Sequence, residues 1–213
     1  MQKTHCVLLL TVATAFCAAA ADETTTRLEK ATAAIATLTG HGIRAEQLAG
    51  ADCVAVIPGF KKGAAVVGVG HGRGFISCRN GSNWSAPGAV ALDSGSLGVQ
   101  IGGEEMDIVI LSMDKEPRGK LLSSRFAIGS DASAAWGNGK SAHGDPNAKI
   151  LVFGHTKGAF AGFDLDGATL KLDESGNKAL YGKSLSNGEI IEGATTPSVA
   201  QPFITKLAQA SGR

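Results

Sequence analysis

The sequence has few aromatic residues, no excess of charge of either sign, and no long apolar run. Phe, Trp and Tyr make up 5% of the 213 residues, and 20 Lys and Arg face 19 Asp and Glu. A nearly neutral chain has no overall field that gathers nucleic acid or an anionic membrane, so an electrostatic ligand needs a local patch. The apolar run at residues 7–16 spans about ten residues, half of what a membrane-spanning helix requires.

The common signatures of enzymes and metal sites are also missing. Gly95-Ser-Leu-Gly98 is not a serine-nucleophile motif, and the histidines and cysteines lack zinc spacing. Asp164-Leu-Asp-Gly167 opens like a calcium loop, but Ser175 stands where that loop needs a glutamate. We therefore expect no enzyme, no metal and no cofactor. A hydrolase with a triad assembled from distant residues is the enzymatic alternative.

Glycine is abundant, with 29 residues, and alternates with other residues from Gly68 to Gly74. A phosphate-binding loop would be followed by a helix whose N-terminus faces the anion. Here the strand-like segment at residues 75–78 follows instead. The run therefore indicates strand bends or close backbone packing rather than a nucleotide site.

The first 21 residues are typical of a secretory signal peptide. Lys3 precedes the apolar run, and Ala19 and Ala21 form an A-x-A site, which predicts cleavage before Asp22. The alternatives are an uncleaved anchor helix, or a lipoprotein modified at Cys17, although the bulky Phe16 suits a lipobox poorly. Cleavage removes Lys3 and leaves 19 basic and 19 acidic residues. We expect the mature chain in the periplasm or outside the cell, with peripheral attachment to a membrane as an alternative.

Two cysteines, Cys53 and Cys78, stay in the mature chain, both in apolar segments that suit strands. An exported chain meets an oxidising compartment, which favours a disulfide between them. The alternative is two buried free thiols.

Residues 22–42 are predicted to hold an amphipathic helix. Leu28, Ala31, Ile35 and Leu38 recur at helical spacing on one face. The helix either docks on the core of the domain or lies on a membrane surface.

Residues 43–213 are predicted to form one domain, because no linker divides them. Apolar runs broken by turn residues predict strands. These are residues 54–57, 64–69, 75–78, 89–92, 97–101, 106–112, 150–155, 159–164 and 168–172. A helix is expected near residues 115–124, another over 199–210, and a polar loop over 137–148. The fold class is α+β, with a mainly antiparallel sheet that is barrel-like or a sandwich.

Taken in order, several segments resemble the SYLF domain family, from about Ile43 to Leu207. They are ADCVAVIPGFKK (51–62), GRGFISCR (72–79), WSAP (84–87), GVQIG (98–102), DIVIL (107–111), LLSSRF (121–126), DAS (131–133), GAFAG (158–162), DG (166–167) and NKALYG (177–182). One departure lies at Trp136-Gly-Asn-Gly-Lys140, where relatives show a Gly-Pro-Gly-Arg-like stretch and Lys140 takes the place of arginine.

The resemblance implies a non-enzymatic protein. Eukaryotic members are similar to phosphoinositide-binding and actin-binding modules, and secreted bacterial members to lipid-associated proteins. The partner expected here is therefore a membrane lipid, bound through its anionic headgroup at the surface or through its acyl chain in an internal groove. The candidate lipid-binding residues are Arg27, Leu28, Lys30, Ile35, Leu38, Lys61, Lys62 and Arg73. The rival is a periplasmic structural or protein-interaction module that binds no lipid and uses Trp84 and Trp136 as contacts.

Overall fold

The computed structural model describes residues 4–64, 68–96, 102–115, 118–128, 132–136, 148–156 and 168–212. The helices are α1 (Thr4–His41), α2 (Ala45–Gly50), α3 (Arg118–Leu121), α4 (Glu174–Tyr181), α5 (Asn187–Gly193) and α6 (Gln201–Ala210), with a 3-10 helix at Ser198–Ala200. The strands are β1 (Cys53–Ala64), β2 (Gly68–Asn80), β3 (Asn83–Trp84), β4 (Gly88–Ser96), β5 (Gly102–Ser112), β6 (Arg125–Ala127), β7 (Ala132–Trp136), β8 (Ile150–Thr156) and β9 (Thr169–Leu172).

All nine strands belong to one curled sheet. Its order is β6-β9-β4-β2-β1-β5-β8-β7, and the short β3 pairs with β2. Neighbouring strands are antiparallel, except that β7 runs parallel to β8. The predicted α+β class and the mainly antiparallel sheet are confirmed, and a single curled sheet fits the barrel-like alternative.

Both faces of the first half of β1 are buried, which explains why residues 53–57 are continuously apolar. Along β1, Val54 and Val56 pack on the side of α1 and α6, whereas Ala55 and Ile57 pack in a second core on the other face. Alternate side chains of a strand point to opposite faces. A strand segment that lies between two cores therefore has no polar positions.

The alternating glycines lie within β2, as the close-packing interpretation predicts. A Cβ atom on Gly74 would lie 1.9 Å from the backbone oxygen of Val56, and one on Gly72 would lie 2.7 Å from Ile57 Cγ2. Only glycine lets β2 pass the bulged part of β1 at this distance. The run is therefore structural and forms no phosphate-binding loop.

Helix α1 is docked on the sheet. The side chains of Leu28, Ile35 and Leu38 are each exposed by 2% or less, and they share a core cluster with Phe203 of α6. The membrane-surface arrangement would require α1 to leave this core. Within the described residues, no helix has the length and apolarity needed to span a membrane.

The cysteine prediction is confirmed by a disulfide between Cys53 and Cys78. The two residues are direct cross-strand partners in β1 and β2, and both are buried. The bridge fixes the register of the hairpin at the end opposite its turn.

Other predictions differ from the structure in detail. The strand expected at residues 64–69 is instead the end of β1 and the start of β2, and the helix expected near 115–124 has the four residues of α3. The strands predicted at 97–101 and 159–164 and nearly all of the polar loop at 137–148 lie outside the described residues. The sequence interpretation missed α2, α4, α5, β3, β6 and β7. All are short, and short elements carry little periodicity.

Candidate functional site

A cleft of about 590 Å³ lies between α1 and strands β1, β2 and β5. It is lined by Asp22, Glu23, Thr26, Arg27, Lys30, Pro58, Gly59, Lys61, His71, Gly72, Arg73 and Glu105. Four of the candidate lipid-binding residues, Arg27, Lys30, Lys61 and Arg73, therefore meet at one place. The three apolar candidates lie in the core instead: Leu28, Ile35 and Leu38. The structure does not describe the side chain of Lys62.

A row of polar residues crosses four strands beside the cleft, and three of its members, Lys61, His71 and Glu105, line the cleft. In the sheet register, His71 lies opposite both Asp93 and Lys61, and Lys61 lies opposite Glu105. Directly opposed residues share a face of the sheet. Their chain neighbours Phe60, Leu92 and Met106 fill the core on the other face. The alternation of each strand thus aligns this row.

His71 is held by a carboxylate on the next strand. Its Nδ1 lies 2.6 Å from Asp93 Oδ1, and Lys171 Nζ donates to the other oxygen of Asp93. Burial by itself raises the pKa of Asp93, but the hydrogen bonds from Lys171 and His71 outweigh it and leave the pKa below its ordinary value. Asp93 therefore stays ionised and orients the imidazole at the edge of the cleft.

A second ionic group ties α1 to the sheet and to α4. Arg73 donates from Nε and Nη2 to the two oxygens of Asp173, at 2.7 and 2.8 Å. Asp173 also caps α4 by accepting from the Gly176 amide. Arg27 of α1 donates to Glu23 at 2.6 Å, and its Nη1 lies 3.5 Å from Asp173 Oδ2. Three parts of the fold therefore meet at one buried carboxylate.

Arg27 is the most buried cation of the cleft, with 9% of its side chain exposed. Burial and the nearby charge of Arg73 lower its pKa, although Glu23 and Asp173 act in the opposite direction. Within the described part of the chain, its Nη1 atom has no hydrogen-bond partner. The charge of this buried nitrogen is balanced by the Asp173 carboxylate, whose Oδ2 lies 3.5 Å away.

Lys30 and Lys61 differ from the two arginines. Both are exposed, and among the described residues neither forms an ion pair with a carboxylate. Arg27 and Arg73 hold the structure together, whereas the side chains of Lys30 and Lys61 are exposed at the cleft. The described residues contain no cluster of His, Cys, Asp and Glu suited to a metal ion.

A second cleft, of about 570 Å³, lies near α2 and the β2–β3 turn. Its Arg79 stacks 3.6 Å from the ring centroid of Trp84 and donates to the backbone oxygens of Leu48 and Ala51. Trp84 is 6% exposed, so it is a core residue rather than the surface contact of the rival hypothesis. The structure does not describe the side chain of Trp136.

Sequence reasoning missed Glu23, His71 and Asp173 as members of these groups. Asp173 has a detectable signal, because Asp followed by Glu-Ser-Gly is typical of a helix N-cap. Its ion pair with Arg73 has none, because 100 residues separate the two. His71 is set apart only by its register with Asp93, which the sequence does not reveal.

Comparisons with known proteins agree with this architecture. The family described as Ysc84, Las17-binding protein actin regulator, matches residues 93–210. An SH3 domain-containing protein of Schizosaccharomyces pombe is 31% identical over 64% of this chain and 34% of its own length. Protein YSC84 of Saccharomyces cerevisiae is 27% identical over 78% of this chain and 40% of its own. SH3 domain-containing YSC84-like protein 1 of Homo sapiens is 28% identical over 75% and 48%.

The chain thus spans less than half the length of each of these three relatives. No solved structure gives a significant match. The family match covers more than half of the chain, and it includes the end of β4 and all of β5, β8, β9 and helices α4 to α6. The chain belongs to the Ysc84 family, whose domain is also called SYLF.

Proposed function

We propose that the chain is a non-enzymatic binding protein of the bacterial cell envelope whose cleft binds the anionic headgroup of a membrane lipid. The observation that carries the proposal is the convergence of Lys30 from α1 and Lys61 from β1 on one cleft. Neither lysine has a carboxylate partner among the described residues. The signal-like N-terminus supports export to the periplasm or beyond, and the description of the family as binding proteins supports a role without catalysis.

Because α1 is docked on the sheet, the proposed lipid contact differs from that of a helix lying on a membrane surface. Because Leu28, Ile35 and Leu38 are buried in the core, α1 contributes its polar side to the lipid rather than its apolar face. A headgroup phosphate enters the cleft and meets the two lysines, each of which contributes about 1 kcal/mol near an anionic surface. Arg27 and Arg73 keep α1 in place through Glu23 and Asp173.

Cosedimentation with vesicles tests the proposal. The mature chain is mixed with neutral vesicles and with vesicles that contain phosphatidylglycerol, at low and at high salt. The test variant is Lys30→Glu/Lys61→Glu. The control is Arg125→Glu/Lys183→Glu, which makes the same change of charge at two exposed residues that do not line the cleft.

We expect salt-sensitive binding to the anionic vesicles only, weakened at least tenfold in the cleft variant. Reversing two charges removes two attractions and adds two repulsions. The loss of binding free energy in the control variant should be less than half of the loss in the cleft variant. Equal losses in both variants would show a general charge effect, and no binding by the wild type would end the lipid proposal.

A second candidate function is protein binding without lipid. It is favoured by the description of the family, which names binding of Las17 and regulation of actin. For an exported protein the partner would be another protein of the envelope. Cross-linking of the exported chain in intact cells, followed by mass spectrometry, tests this alternative. A specific cross-linked protein, together with absence of vesicle binding, would favour it over lipid binding.

A further inference from the structure

Two hydrogen-bond acceptors flank Lys61 in the cleft. In the sheet register, Lys61 of β1 lies opposite His71 of β2 on one side and opposite Glu105 of β5 on the other. All three residues line the cleft, and neighbouring strands of a sheet are about 4.8 Å apart. The lysine therefore stands between an imidazole and a carboxylate on one face of the sheet.

Asp93 determines which nitrogen of His71 is the acceptor. A carboxylate accepts hydrogen bonds but does not donate them, and Asp93 stays ionised beside Lys171. Nδ1 of His71, which lies 2.6 Å from Asp93 Oδ1, therefore carries a proton. In the neutral ring, Nε2 then has none, and it has no hydrogen-bond partner among the described residues. Because 62% of the side chain is exposed, this lone pair is open to a ligand.

Glu105 is the second open acceptor. It is exposed, and within the described part of the chain it forms neither an ion pair nor a hydrogen bond. A phosphate bound by Lys61 would therefore have a nitrogen lone pair on one side and a carboxylate on the other. Both disfavour a bare anion, but both accept a hydrogen bond from a hydroxyl group. The arrangement favours a ligand that carries hydrogen-bond donors beside its phosphate.

The charge of the cleft decides between a hydroxyl and an ammonium group as that donor. Four of the residues that line the cleft are basic and three are acidic, besides His71. With the imidazole neutral, the surplus of one positive charge favours a ligand of net negative charge. A phosphodiester with hydroxyl groups keeps its negative charge, whereas one with an ammonium group is neutral overall. Hydroxyl groups therefore suit this cleft better.

We propose that the cleft selects an anionic lipid whose headgroup is a hydroxylated phosphodiester, such as a glycerol phosphodiester. Lys30 and Lys61 bind the phosphate, and the hydroxyl groups donate to Nε2 of His71 and to the carboxylate of Glu105. The lysines supply the attraction, and the two acceptors determine specificity. The inference names the ligand class of the proposed function and rests on that function.

Two anionic lipids that differ in their hydroxyl groups test the inference. Phosphatidylglycerol carries glycerol on its phosphate and phosphatidylmethanol carries a methyl group, with the same single negative charge. The mature chain is titrated with vesicles of each lipid at pH 8, at which a free imidazole is neutral. The test variant is His71→Phe/Glu105→Leu, and the control is Arg125→Glu/Lys183→Glu. Glycerol 3-phosphate and methyl phosphate, added as soluble competitors, distinguish a free phosphate ester from a lipid surface.

The ratio of the two affinities is the measured quantity, because a change of charge in a variant alters both affinities alike. We expect the wild type to prefer phosphatidylglycerol about tenfold, the contribution of two hydrogen bonds at an exposed site. The test variant should bind both lipids equally, and the control should keep the preference. Equal affinities in the wild type, or an unchanged preference in the test variant, would overturn the inference and leave the proposed function standing.

The soluble competitors separate the inference from the proposed function. Glycerol 3-phosphate should displace the chain from vesicles at a lower concentration than methyl phosphate does. Direct binding of glycerol 3-phosphate without binding to vesicles would support the selectivity and remove the membrane from the proposed function. Absence of binding to either lipid and to either competitor would remove the proposed function and the inference together.

Discussion

Arg73 and Asp173 form a two-pronged ion pair that joins the glycine-rich strand β2 to the start of α4. Both hydrogen bonds are shorter than 2.9 Å, and the side chain of Asp173 is 6% exposed. Arg73→Met should lower the free energy of unfolding by about 3 kcal/mol, because it leaves a buried carboxylate with fewer partners. Urea unfolding measures the change. Arg125→Met, at an exposed position, should stay within about 0.5 kcal/mol of the wild type; a similar loss in both would refute a special role for the pair.

The stability of the fold should depend on pH through Asp173. Burial raises the pKa of this carboxyl, but hydrogen bonds from Gly176, Ser175 and Arg73 outweigh it and leave the pKa below its ordinary value. A lowered pKa in the folded state contributes stability above the unfolded value, near pH 4, and this contribution is lost as the pH falls through the folded value. Asp173→Asn should be less stable than the wild type at pH 7, and the gap should close toward pH 2. Urea midpoints measured between pH 7 and pH 2 provide the test, and a gap that does not change with pH would contradict it.

Leu38 distinguishes a docked helix from one that rests on a membrane. The side chain is completely buried between α1 and its neighbours, so Leu38→Ala should destabilise the protein by about 2–5 kcal/mol in the absence of lipid. Lys30→Ala, on the exposed side of the same helix, should cost less than about 0.5 kcal/mol. Thermal and urea unfolding without vesicles measure both. An unchanged stability of the leucine variant would mean that α1 is not part of the core in solution.

The disulfide between Cys53 and Cys78 should contribute about 3 kcal/mol, since it closes a loop over a sequence separation of 25. Cys53→Ala/Cys78→Ala should therefore unfold at a lower urea concentration than the oxidised wild type. Reductant should shift the wild type toward the variant and leave the variant unchanged. To make sure that the bridge is reduced, the wild type is first unfolded completely in the presence of reductant. If its urea midpoint is then the same as without reductant, the bridge has no structural role.

Local patterns in the sequence determined a good part of this protein. The apolar runs around Cys53, Phe75 and Ile108 predict strands because they are short and are bounded by turn residues. The alternating glycines predict the close packing that β2 shows against β1. The disulfide was predicted from two cysteines and from the expected export of the chain. The short helices α4 and α5 were missed because their lengths of 8 and 7 residues carry little periodicity.

The tertiary structure alone decided which way α1 faces and which charges are free. An apolar stripe such as Leu28, Ile35 and Leu38 is the same whether a helix packs on a sheet or on a membrane, so periodicity does not separate the two. Arg73 and Lys61 read alike as basic residues near strand turns. Arg73 is structural because it pairs with Asp173, 100 residues away, whereas Lys61 forms no ion pair among the described residues. Contacts between distant residues depend on strand register and helix docking, which form only when the whole chain folds.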